Sequence, residues 1–270
     1  MDTWRLLITP PARGAWNMAV DEAVLRAAGR GESLPTLRLY DWQPACLSLG
    51  YAQSYRDVDT ARLKAHGWEV VRRVTGGRAI LHTDELTYSV CAPPDEPRLQ
   101  GSILESYQRL ARALVVAVRE LGLQVEMEEH AAAAGRDQGP VCFEVPSAYE
   151  IVVAGKKLIG SAQARKKDGV LQHGTLPLHG DLSRITEVLV FQDEPARSRA
   201  AHNLLERATT VQAVTGRIIP WETAAQAFVN AFESQLGLTF ERGELSAAER
   251  THALELVENK YDHPDWTERS

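Results

Sequence analysis

The sequence predicts an α+β fold: one domain of largely antiparallel strands packed with helices and extended by C-terminal helices. Three observations carry this. Apolar and polar residues alternate through stretches of 36–52, 68–91 and 148–178, as half-buried strands require. Apolar residues recur at helical spacing before, between and after those stretches. With 270 residues and 44% hydrophobic content the chain can bury a substantial core, and neither an internal repeat nor a Pro-, Gly- or Ser-rich linker divides it.

Each element follows from local chemistry. In "WNMAVDEAVLRAAGRG", Met18, Ala19, Ala23, Val24 and Ala27 mark one helix face, and Gly29 supplies a stop. "TLRLYDW" and "CLSLGYA" read as two strands joined by a turn at Asp41 to Pro44. "GWEVVRRVTGGRAILHTDELTYSVCAP" reads as a strand, a turn at Gly76 and Gly77, and a second strand over Leu86 to Cys91. Ser102 and Glu105 form a capping box for a helix along which Ile103, Tyr107, Leu110, Leu114 and Leu121 share a face up to Gly122. Residues 131–141, "AAAAGRDQGPV", are small and turn-prone and read as a mobile loop leading into Cys142. From 148 to 178 a three-stranded meander is expected, with turns at Ala154 to Lys156 and at Asp168-Gly169. Helices are expected near 181–191, 197–208 and 221–236, the last bracketed by Pro220 and Gly237. A second capping box, Ser246 with Glu249, opens a final helix to about Tyr261, so residues 244–270 form the helical extension of a domain spanning 1–243.

Composition excludes several function classes. The formal net charge of -6, without a large basic block, argues against a nucleic-acid binder. No apolar run reaches the roughly 18 residues that cross a bilayer, and "MDTWRLLITPPARG" carries no export signal, so a cytoplasmic protein with no membrane partner is expected. Three cysteines in no paired spacing suit free thiols in a reducing compartment. The eight histidines include no HExxH, there is no Cys-x-x-Cys, and no metal is expected. "TGGRAILH" has neither nucleotide-loop spacing, although its glycines suit close backbone approach to a ligand.

Most of the candidate reactive groups admit two readings. Cys46 and Cys91 sit in apolar strands and read as small hydrophobes. Cys142, between a Gly-Pro loop and Pro146, fits either a cleft thiol or an inert one. Lys157 begins a strand just after a turn, where a solvated lysine is the plainer reading. His82 and His173 flank strands and suit either a pocket wall or a satisfied, partly buried role. Arg165, Lys166 and Lys167 fit a soluble hairpin tip or a dock for an acidic carrier.

Three ordered blocks, "RRVTGGRAILHTDELTYSV" (72–90), "GKKLIGSAQAR" (155–165) and "LQHGTLPL" (171–178), resemble the biotin/lipoate A/B protein ligase family. "WNMAVDEAVL" and "LRLYDWQPACLSLGYAQ" extend the similarity over most of residues 4–240, and "VCFEVPSAYEIVV" is similar to the distinguishing stretch of the LipM-type octanoyltransferases. The chain departs from the ATP-dependent ligases of the family. Their glycine triplet with His-Asp becomes Gly76-Gly77-Arg78 with His82-Thr83, and their Asn-Asp becomes Tyr149-Glu150. Cys142 also precedes Lys157, whereas the LipB branch places its cysteine after the lysine.

The resemblance implies the family's catalytic fold, a mixed and largely antiparallel sheet with helices. It also implies octanoyl transfer from acyl carrier protein to a lysine of a lipoyl-domain protein, such as the glycine-cleavage carrier GcvH, by a monomer needing no cofactor. In that reading Cys142 is the nucleophile and Lys157, kept cationic beside it, favours its thiolate, while Arg73, Gly76, Gly77, His82, Gly160 and Ala162 line the acyl site. An octanoyl amidotransferase acting between lipoyl-domain proteins, an ATP-dependent lipoate ligase and a non-enzymatic lipoyl-domain binder are the competing readings, in that order.

Overall fold

The computed structural model describes residues 2–129 and 149–269. Strand β1 (Asp2–Ile8) leads into helix α1 (Gly14–Gly29), strands β2 (Thr36–Tyr40) and β3 (Cys46–Leu49), helix α2 (Thr60–Ala65), and strands β4 (Glu69–Arg72), β5 (Ile80–His82) and β6 (Glu85–Ala92). Helix α3 (Ile103–Glu120) and β7 (Glu126–Glu129) come next, then β8 (Tyr149–Val153), β9 (Lys156–Lys166) and β10 (Gly169–Pro177). Helices α4 (Glu194–Arg207), α5 (Val211–Thr215) and α6 (Trp221–Leu236), strand β11 (Leu238–Arg242), and helices α7 (Ala247–Leu256) and α8 (Pro264–Thr267) complete the described chain.

Two sheets result. The larger runs β11-β1-β2-β6-β10-β9-β8-β7, and the smaller runs β4-β3-β5. In the large sheet β1 is parallel to β11 and β2, and every other pair is antiparallel. This is the expected α+β architecture. Strand periodicity divides the large sheet into two working faces. Leu37 and Leu39 of β2 with Leu86, Tyr88 and Val90 of β6 pack against α3 and α6. Tyr40 and Cys91, one position out of phase, face α1 and the C-terminal helix α7. The small sheet, with α2 and α4, has a third core around Leu47, Leu63, Val188 and Leu204.

The meander from Tyr149 to Pro177 forms as expected, with Ala154 and Gly155 both at positive φ in its first turn. Both capping boxes are present, at Ser102/Glu105 and Ser246/Glu249. The final helix does reach Tyr261, through a π-type turn at Val257–Tyr261 after α7. Helix α6 ends at Gly237 in the left-handed conformation.

Elsewhere the expectations need correction. β2 and β3 both form, as expected, but they lie in different sheets: β1 and β6 flank β2, and β3 pairs with β4 and β5. Strand β5 lies inside what reads locally as a turn and a single following strand, and the sequence pattern marks neither β1, β7 and β11 nor the short helices α2, α5 and α8. β11 hydrogen-bonds β1 from the opposite end of the chain, a pairing with no local signal. The helix near 181–191 is a 3-10 segment, Leu182–Val188, and α4 begins earlier than expected, capped by Asp193. On α3, Ile103 is 55% exposed although Leu110 and Leu114 are fully buried, because the first turn overhangs the core. The proposed loop 131–141 lies outside the described residues. Among the described residues no helix is long and apolar enough to cross a membrane.

Gly29 does more than stop a helix. A Cβ built there would stand 1.7 Å from the Asp168 carbonyl oxygen, so α1 meets the β9-β10 turn at a point with no room for a side chain. Helix propensity alone favours alanine over glycine by about 1 kcal/mol, yet the clash is with backbone and cannot relax by rotamer change. Gly29→Ala is therefore expected to lower stability by about 1–3 kcal/mol, read as a reduced urea midpoint. A gain in stability would show that the hairpin yields.

Candidate active site

A cavity of about 530 Å³ opens between the sheets. Its walls come from α1, the ends of β2 and β3, the 73–78 loop, β5, β6, β9 and β10. Lys157, Arg73, Gly76, Gly77, His82, Gly160 and Ala162 all line it. The sequence-named residues that are described thus converge from three separate segments. Cys142 lies outside the described residues.

Lys157 is not the solvated turn lysine that its local context favours, for it is only 4% exposed. The neighbouring Lys156 takes the outer position and donates from Nζ to the Leu205 carbonyl at 2.6 Å. The backbone of Lys157 is held from the other side, where its carbonyl accepts from Thr209 N at 3.0 Å and the residue bridges to Ala208. An irregularity in the β8-β9 register falls beside it, aligning Val152 with Lys157 and Ile151 with Ile159.

Arg73 shapes the opposite wall. Its guanidinium donates to the Ser48 carbonyl and hydroxyl at 2.9 and 3.1 Å and to the carbonyls of Gly76 and Arg78 at 2.9 and 2.7 Å. The charge therefore fastens the glycine loop to β3. Gly77 has φ of 92°, and a Cβ at Gly50 would lie 1.8 Å from the Gly77 carbonyl oxygen, so these two segments can only cross at glycine. A Cβ at Gly76, by contrast, would meet nothing within 4 Å. On the third wall Gly160 lies opposite Thr175, and Gly174 leaves space for Ser161 and the Tyr88 ring.

Both histidines are pocket walls and satisfied core groups at once. His82 places Nδ1 2.6 Å from Glu85 Oε1 and Nε2 2.7 Å from Ser48 Oγ, and stacks on the Trp42 ring at 3.9 Å. His173 places Nε2 2.6 Å from Thr75 Oγ1 and Nδ1 3.6 Å from Asp21 Oδ2. Burial pushes the His173 imidazole below the ordinary histidine range, against the pull of Asp21. Burial alone would raise the Asp21 carboxyl, but Arg38, His173 and Ser89 together hold it below the usual carboxylate range. Sequence reasoning missed Ser48, Trp42, Thr75, Glu85 and the Asp21-Arg38 pair. The only trace of Ser48 was its place as the polar residue in an alternating "CLSLG".

Cys46 and Cys91 behave as expected of small hydrophobes. Both are buried, and burial pushes both thiols well above their ordinary value. Arg165 is no free hairpin tip. It binds the Leu99 and Gly101 carbonyls and Ser106 Oγ, holding the start of α3 against β9.

The family description "Lipoyl protein ligase A/B catalytic domain" matches residues 13–233, a span containing every described cavity residue named above. The chain belongs to the lipoyl protein ligase A/B family. Within the family its relatives are of the LipM kind. It is 42% identical over 274 aligned positions to octanoyltransferase LipM of Kyrpidia tusciae, covering 100% of each chain. It is 41% identical over 277 positions to octanoyltransferase LipM of Moorella thermoacetica, covering 99% of this chain and 98% of that one. Solved family structures share the fold. A bipartite lipoate protein ligase from Thermoplasma acidophilum superposes with a TM-score of 0.80 at 27% identity, over 99% of this chain and 97% of that one. A lipoate-protein ligase A bound with ATP gives 0.80 at 26% identity over 98% of both.

The depressed His173 has a measurable consequence. Below the usual histidine value of 6.5 the unfolded chain binds a proton that the folded imidazole resists, so this residue's contribution to stability is lost as pH falls through that value. The stability gap between the native chain and His173→Gln, measured by urea unfolding, is expected to narrow from neutral pH to mildly acidic pH. A gap that widens would reverse the assignment of a neutral buried imidazole.

Proposed function

We propose that this chain transfers an octanoyl group from octanoyl-acyl carrier protein to a lysine of a lipoyl-domain protein, through an acyl-thioester on Cys142. GcvH is the acceptor proposed, and a monomer the working form. The observation that carries the reading is the convergence on one cavity of a buried lysine with the glycine loop and His82, in a chain whose LipM relatives match it end to end.

The chemistry follows from bond energies. A carrier thioester exchanges onto a cysteine with little change in free energy, and attack by the acceptor lysine then makes a more stable amide. No nucleotide is needed for either step. A free thiol with a pKa of about 8.5 is only ~3% ionised at pH 7, whereas lowering that value to about 7 ionises about half. The Lys157 ammonium is assigned that task, and with neighbouring backbone N–H groups it also opposes charge on the tetrahedral intermediate, where one placed donor is worth ~3 kcal/mol. Each methylene of the acyl chain removed from water contributes about 0.8 kcal/mol, which gives the cavity a basis for measuring chain length.

Incubation with octanoyl-carrier and no ATP should add about 126 Da to the intact chain, mapped by peptide mass spectrometry to Cys142. The adduct should be absent from Cys142→Ala. Labelling that persists in that variant would remove Cys142 as the nucleophile, and transfer only from an octanoylated lipoyl-domain donor would identify an amidotransferase instead.

A further inference from the structure

We propose that Ser48, His82 and Glu85 form a proton relay that accepts the proton of the incoming lysine ammonium. This rests on the acyl-transfer reading above and adds to it a step that Cys142 and Lys157 do not provide.

The need is chemical. A lysine amine with a pKa near 10.4 is unprotonated in only about one molecule in 2,500 at pH 7, and an ammonium has no lone pair to attack with. Arg73 cannot take up that proton, and Lys157 is assigned to the Cys142 thiolate, so another acceptor is required.

The hydrogen bonds fix the direction of such a relay. Trp42 Nε1 donates to Thr87 Oγ1 at 2.8 Å, which commits the single Thr87 proton to Glu85 Oε1 at 2.5 Å. The same carboxylate oxygen lies 2.6 Å from His82 Nδ1, so Nδ1 carries the proton and Nε2 is left as the acceptor. Ser48 Oγ, 2.7 Å from Nε2, must then donate to it. Arg73 donates to Ser48 Oγ at 3.1 Å and takes one of its lone pairs. The other lone pair is available to an ammonium N–H at the cavity wall, which both Ser48 and His82 line.

The second imidazole is not equivalent. His173 also sits between a carboxylate and a hydroxyl, but its partner Thr75 is not among the lining residues, so that chain ends inside the wall.

The balance is simple. As the new C–N bond forms and the thioester C–S bond breaks, the ammonium gives up two protons. One returns to the departing sulfur. The other passes to Ser48 Oγ as the Ser48 proton moves to His82 Nε2, and it leaves to solvent afterwards. The transient imidazolium lies between the Glu85 carboxylate and the face of the Trp42 indole, both of which favour a cation.

The test compares two nucleophiles. Transfer from octanoyl-carrier is measured to the lipoyl-domain lysine and, separately, to hydroxylamine, a weak base already unprotonated at neutral pH. Glu85→Gln, nearly isosteric, and Ser48→Ala, which leaves the Ser48 carbonyl bond to Arg73 available, are compared with the native chain, with folding checked by thermal melting. Lysine transfer is expected to fall about 100-fold or more in both variants, while transfer to hydroxylamine above the uncatalysed background stays near that of the native chain. Equal losses with both nucleophiles, or undiminished lysine transfer, would overturn the relay while leaving acyl transfer intact. A native chain that forms no acyl adduct would overturn the acyl-transfer reading itself, and the relay with it.

Discussion

The buried ion pair between Asp21 of α1 and Arg38 of β2 is the constraint on which the rest of the structure depends. The two groups lie 2.8 Å apart, each 1% exposed. Arg38 also donates to the Asn17 carbonyl and side chain and lies over the Tyr40 ring, while Tyr40 and Ser89 donate to Asp21. A buried pair of this kind adds little net stability over apolar packing, but removing one partner costs about 3–5 kcal/mol because the other charge is stranded. Its value is in fixing position. It ties α1 to β2 and β6, and through His173 to β10, so one wall of the cavity is set by a network that tolerates few alternatives.

Two adjacent arginines do the same for the other wall. Arg72 ends β4 and Arg73 opens the loop that follows, and the two guanidinium groups bind different sets of carbonyls. Arg72 gathers the carbonyls of Gly50 and Gln53 together with those of Trp266, Thr267 and Arg269. Arg73 gathers Ser48 and the glycine loop. Backbone carbonyls that would be costly to bury unpaired become the ligands of buried guanidinium groups. The C-terminal segment is thereby joined to the 50–53 loop, whose Ala52 and Gln53 line the cavity. A site held this way is organised before a substrate arrives, which lowers the ordering cost of binding.

How much was legible differs by element. The Tyr149 to Pro177 meander, α3 and α6 announced themselves because their signals are local: turn glycines, capping boxes and a single repeating face. β11 was silent because its partner β1 lies more than two hundred residues away, and β5 because three residues carry no periodicity of their own. In the site, Lys157 was misread in isolation. Position after a turn suggests solvent, and only the packing of β9 against the segment after α4 makes it buried.

By itself, then, the sequence determined the α+β class, the boundaries of α1, α3 and α6 and, through family resemblance, the described residues from Arg73 to Ala162 that line one cavity. Only the tertiary structure decided that Lys157 is buried, that Arg73 acts as a clamp, and that Ser48, His82 and Glu85 stand in hydrogen-bonded order. The reason is physical. Periodicity and capping depend on neighbours a few residues apart, whereas burial, tautomer and the direction of a hydrogen bond depend on groups that meet only when distant strands are brought together.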